Sequence, residues 1–103
     1  GAVKSELRRT GMPLGVMQDA EYTVSKPLRL AKGDVLVLLT DGLEETTNPE
    51  GELFGVDRIL QAVHQNRQSK AAKIVESVFE TLKDFSGNAE QVDDLTMIVA
   101  KAE

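Results

Sequence analysis

Apolar residues follow two kinds of pattern along this chain. In Val35-Leu36-Val37-Leu38-Leu39-Thr40 they run without a break, and Leu95-Thr96-Met97-Ile98-Val99-Ala100 is nearly as continuous. Such runs predict strands near 35–40 and 95–101, and the unbroken first run predicts burial on both faces. Ala20 to Val24 instead alternates apolar and polar, which predicts a half-buried strand near 20–25. Val56, Ile59, Leu60 and Val63 recur at helical spacing and predict a helix over 56–65. A second helix over 69–85 is predicted from a stripe of Ala72, Val75, Val78, Phe79, Leu82 and Phe85, with Ile74 at its edge. Ser69 is its expected N-cap and Ser86-Gly87-Asn88 its stop. Val3 to Leu7 is weakly strand-like and leads into a Gly- and Pro-punctuated loop, Arg8 to Gly15. Lys32-Gly33-Asp34 reads as a tight turn, and Leu43 to Glu52 as a polar loop holding an Asn-Pro turn. The order β-β-β-α-α-β, without repeats or a linker, predicts one layered α/β (α+β) unit over 1–103. Its strands are expected to be mostly antiparallel, with the two helices on one face.

Composition narrows the function classes. At 103 residues with 41% hydrophobic and 28% charged, the chain has the make-up of a small globular domain. No apolar stretch approaches the roughly 20 residues that span a membrane, so no membrane contact is expected from this segment. The first residues lack the apolar centre of a signal peptide, and with no initiator Met the chain fits a piece of a longer one. A net charge of −5, scattered basic residues and few aromatics argue against nucleic-acid binding. There is no cysteine, which excludes disulfides and thiolate metal sites and fits a reducing compartment. The single histidine, His64, reads as a solvent-edge helix residue.

The candidate chemistry sits at two acidic strand ends. The first apolar run ends in Asp41-Gly42, and Asp93-Asp94 stands just before the last one. Carboxylates at neighbouring strand ends can converge on a hard divalent cation, which prefers oxygen ligands. Each motif alone has a plainer reading, since Asp and Gly also open ordinary turns. Glu44-Glu45 is open in the same way, between groups supporting such a site and a solvated loop. The Gly11 to Gly15 segment reads either as a gate or as a rigid connector.

These pieces form an ordered set. Gly11-Met12-Pro13-Leu14-Gly15, Lys32-Gly33-Asp34, Thr40-Asp41-Gly42-Leu43-Glu44-Glu45, Phe54-Gly55 and Asp93-Asp94-Leu95-Thr96 together resemble the stage II sporulation E type of metal-dependent (type 2C) protein serine/threonine phosphatases. The resemblance implies part of an αββα β-sandwich with a binuclear Mn²⁺ or Mg²⁺ site at one edge. It implies that Asp41 and Asp93 are metal ligands, Asp94 has a supporting role, Thr96 secures the start of the last strand, and Gly42 lets the chain turn close beside the ligand. The family's bridging aspartate belongs to a further Asp-Gly motif that has no counterpart here. The chain therefore looks like the C-terminal half of a catalytic domain.

The implied reaction is hydrolysis of phosphoserine or phosphothreonine on a cytoplasmic regulatory protein, such as an anti-sigma factor antagonist. The chain alone is expected to be inactive, and its uncovered sheet to favour a homodimer, strand exchange or aggregation. The alternative is a pseudo-phosphatase or interaction module that binds a signalling protein without chemistry.

Overall fold

A computed structural model describes residues 3, 5–7, 14–89 and 94–103. Its elements are β1 (Val35–Leu39), α1 (Asp41–Glu44), α2 (Gly55–Gln65), α3 (Ala71–Ser86) and β2 (Met97–Lys101). The two strands pair antiparallel, with Val35 opposite Lys101, Val37 opposite Val99 and Leu39 opposite Met97. Beyond this ladder, Gly33 N–H donates to the Ala102 carbonyl at 2.8 Å and Ala102 N–H to the Asp34 carbonyl at 2.9 Å. The Lys32-Gly33-Asp34 turn is thereby tied to the end of β2.

Alternation along the paired strands sorts their side chains to two faces. Val35, Val37, Leu39, Met97 and Val99 pack against the helices, joined by Leu95 from just before β2. The buried core beneath them consists of Leu43, Phe54, Ile59, Ala62, Val63, Ile74, Val78 and Leu82. Both long helices therefore lie on one face of an antiparallel pair, in agreement with the sequence pattern. The other face is less covered than the unbroken run of β1 predicts. Leu38 and its cross-strand partner Ile98 retain 49% and 56% of their accessible surface.

Other expectations change in detail. Residues 20–25 form no strand, and Val24 is 95% exposed. An alternating segment becomes a strand only where a ladder partner exists, and among the described residues the sheet contains β1 and β2 alone. Residues 3 and 5–7 are likewise without regular structure, and most of the Arg8 to Gly15 loop lies outside the described residues. Ser69 is not the N-cap of α3; that position falls to Lys70. Ser69 closes the preceding turn instead, its N–H donating to Asn66 and its carbonyl accepting from the Lys101 ammonium, both at 2.9 Å.

The buried stripe of α3 is centred on Ile74, Val78 and Leu82, with Val75, Phe79 and Phe85 half-buried beside it and Ala72 exposed. The helix ends at Gly87, as its stop signal predicts. Within the polar loop, Thr47 and Leu53 form an antiparallel bridge around the Asn48-Pro49 turn. Phe54 then drops into the core, its ring 5.2 Å from that of Phe85. Gly55, with φ of +78°, makes the reversal that starts α2, a conformation L side chains rarely adopt.

Candidate metal centre at two strand ends

The strand register fixes the site. Thr40 follows β1 directly, and its N–H extends the ladder by donating to the Thr96 carbonyl at 3.1 Å. Its hydroxyl accepts from the Thr96 N–H at 3.2 Å, and its own proton has the Asp94 and Thr96 carbonyls within reach at 3.5 Å. One residue thus fastens the exit of β1 to the start of β2 across 54 residues of sequence.

Asp41 begins α1, a single turn held between surface and core. Asp41 is exposed, while Gly42 and Leu43 are buried. Glu45 N–H donates to the Asp41 carbonyl at 3.0 Å, and the Thr46 hydroxyl to the Gly42 carbonyl at 2.7 Å. Leu43 anchors this turn in the core, so the Asp41 carboxylate is presented to solvent on a fixed backbone. Gly42 lies against the other strand's approach, where a Cβ built on it would stand 2.3 Å from the Asp94 carbonyl oxygen. A side chain cannot fit there without displacing backbone.

The two acidic segments therefore meet at one end of the sheet. Asp94 is exposed there, while Asp93 lies outside the described residues. Exposed carboxylates are the donors that hard cations such as Mg²⁺ and Mn²⁺ take, so the residues fit such a metal in kind. They make no cage by themselves: among the described residues, no three His, Cys, Asp or Glu side chains gather to hold an ion.

The remaining candidates sort clearly. Glu44 is half-buried and Glu45 exposed on the turn after Asp41. His64 stands on the exposed side of α2, with Arg67 Nη1 3.4 Å from its Nε2. The hydroxyl that secures β2 is Thr40's, with Thr96 contributing its main chain. A concavity of about 520 Å³ is lined by Leu53 to Arg58, away from the acidic strand ends. Arg58 explains its walls structurally: its guanidinium lies 4.4 Å over the Phe85 ring and donates to the Leu53 and Phe54 carbonyls.

Known proteins resemble this chain in sequence and in fold. The SiaA-PP2C domain of Pseudomonas aeruginosa superposes with a TM-score of 0.66 at 26% identity, covering 74% of this chain and 31% of that one. The phosphoserine phosphatase RsbU of Bacillus subtilis is 30% identical over 99 residues, which are 93% of this chain and 28% of RsbU. Protein IcfG of Synechocystis sp. is 29% identical over 96 residues, 93% of this chain and 15% of IcfG. The chain thus spans less than a third of each. The model of the stage II sporulation protein E (SpoIIE) family matches residues 1–103, and the chain belongs to that family.

Proposed function

We propose that residues 1–103 form the C-terminal half of a metal-dependent phosphatase domain that hydrolyses phosphoserine or phosphothreonine on a regulatory protein. The observation that carries this reading is the fastening of the two acidic strand ends by Thr40, in a chain of this family. Asp41 and Asp93 would hold Mn²⁺ or Mg²⁺, with the bridging carboxylate of a binuclear site supplied from elsewhere in the parent protein. When bound, the metals lower the pKa of a coordinated water and position the phosphate for in-line attack. Asp41 contributes a solvent-facing carboxylate, Leu43 and Gly42 set its backbone, and Asp94 supports the site without an inner-sphere bond.

That one relative is named a phosphoserine phosphatase supports serine monoesters as the substrates of the parent protein. Partner-switching regulators such as anti-sigma factor antagonists are the substrate class we favour. A cysteine-free chain fits the cytoplasm, where such regulators act.

The test is turnover of a phosphoserine protein, or of p-nitrophenyl phosphate, by the parent protein with Mn²⁺. Asp41→Ala and Asp93→Ala should each cost more than the roughly 10–100-fold typical of losing an outer-shell partner, and Asp94→Asn far less. Chelator should silence the parent, and the 103-residue chain alone should show only trace hydrolysis. Full metal-dependent turnover in both alanine variants sinks the assignment. A parent that binds its partner protein but neither metal nor phosphoester would instead be an interaction module.

A further inference from the structure

Thr40 occupies the N-cap position of α1, with extended backbone at φ −90° and ψ 159°. A threonine there ordinarily turns its hydroxyl to the free N–H groups of the first helical turn. This one makes no such bond. The oxygen is committed across the sheet to the Thr96 N–H, and the proton faces the carbonyls of Asp94 and Thr96. The main chain of Asp94 is also what presses against Gly42. The hydroxyl therefore adds to the main-chain bond from Thr40 N–H to the Thr96 carbonyl in holding the residue before Asp41 to the segment that carries the second acidic pair.

We propose that Thr40 is a positioning residue for the metal centre: its cross-strand hydroxyl bonds, rather than a helix cap, hold the Asp41 backbone and the start of β2 at the separation a divalent cation requires. This rests on the metal role proposed for Asp41 and Asp93. The hydroxyl's partners are the main-chain groups of Asp94 and Thr96, so it is assigned no bond to metal or substrate. Its removal loosens the strand ends, so it acts on metal affinity and leaves the chemistry of the loaded site alone. Valine keeps the shape and β-branching of threonine while deleting the hydroxyl, and serine keeps the hydroxyl while deleting the methyl.

The experiment uses the parent protein as wild type, Thr40→Val, Thr40→Ser and Asp41→Ala. It reads Mn²⁺ binding by calorimetry and amide exchange at Thr96 in the metal-free state. Loss of a group that orients metal ligands typically costs 10–100-fold in affinity, so Thr40→Val should weaken Mn²⁺ binding by at least about tenfold. Thr96 exchange should accelerate in the same variant, while kcat at saturating Mn²⁺ stays near wild type. Thr40→Ser should bind Mn²⁺ within about twofold of wild type, on the same scale. Wild-type binding by Thr40→Val, with Asp41→Ala impaired, overturns the role of Thr40 and leaves the metal reading standing. Equal loss in the serine and valine variants also overturns it, because the methyl would then be responsible. Unchanged Mn²⁺ binding in Asp41→Ala overturns the metal reading and this inference together.

Discussion

Space, rather than backbone angle, requires glycine at position 42. A Cβ there would meet the Asp94 carbonyl oxygen at 2.3 Å, a separation real side chains essentially never show. Gly33 is the contrasting case, with φ of +89° and nothing within 4 Å of a built Cβ. Gly42→Ala must push β2 away from α1, at a cost of about 1–3 kcal/mol for an overpacked site. It should also weaken Mn²⁺ binding by the parent. Gly33→Ala should cost up to about 1–2 kcal/mol for its left-handed backbone and leave metal binding unchanged. Denaturant midpoints beside Mn²⁺ titrations separate the two, and a metal defect in Gly33→Ala would refute the distinction. Asp41 and Gly42 stood out in the sequence because acid and glycine at a strand end have a direct chemical meaning. Thr40 belongs to the same motif but carried no role there, since its partners lie 54 and 56 residues away and only the strand register brings them near.

At the scale of elements, legibility followed the range of the interactions. Both long helices were readable because each repeats a helical period over three or more turns, and both strands because their apolar runs are unbroken or nearly so. The single turn α1 spans four residues, too few to show a period. The alternation at 20–25 could not reveal whether a ladder partner was present. On α3, two adjacent i, i+4 rows are apolar: Ile74, Val78 and Leu82 in one, Val75 and Phe79 in the other. Packing against the sheet and α2 buries the first row, which periodicity alone cannot select. Ile74→Ala should therefore cost about 2–5 kcal/mol, the usual range for emptying a filled core position. Val75→Ala should cost clearly less, since Val75 is half-buried. Equal shifts of the unfolding midpoint in the two variants would contradict this assignment of the buried row.

The whole molecule leaves one face of its sheet partly open, and that face carries the last prediction. Leu38 and Ile98 sit opposite each other on the side away from the helices, each keeping about half its surface accessible. The pairing brings the two apolar side chains together, and among the described residues the sheet has only these two strands, so each keeps one edge without a ladder partner. Both features favour association of a chain studied alone. In the parent domain, on the proposed reading, the same patch is covered by the rest of the sandwich. Replacing both residues with lysine should then act in opposite directions in the two settings. In the isolated 103-residue chain, Leu38→Lys with Ile98→Lys should suppress the concentration-dependent association that sedimentation detects in the wild-type chain. In the parent it places two charges in an apolar interior, at a cost above the roughly 2–7 kcal/mol of a single unpaired amide or hydroxyl. The parent should therefore lose its cooperative unfolding transition and its turnover. A wild-type isolated chain that stays monomeric and takes up no apolar dye would contradict the first half. A parent that tolerates both lysines with unchanged stability would show that this face is not part of its core.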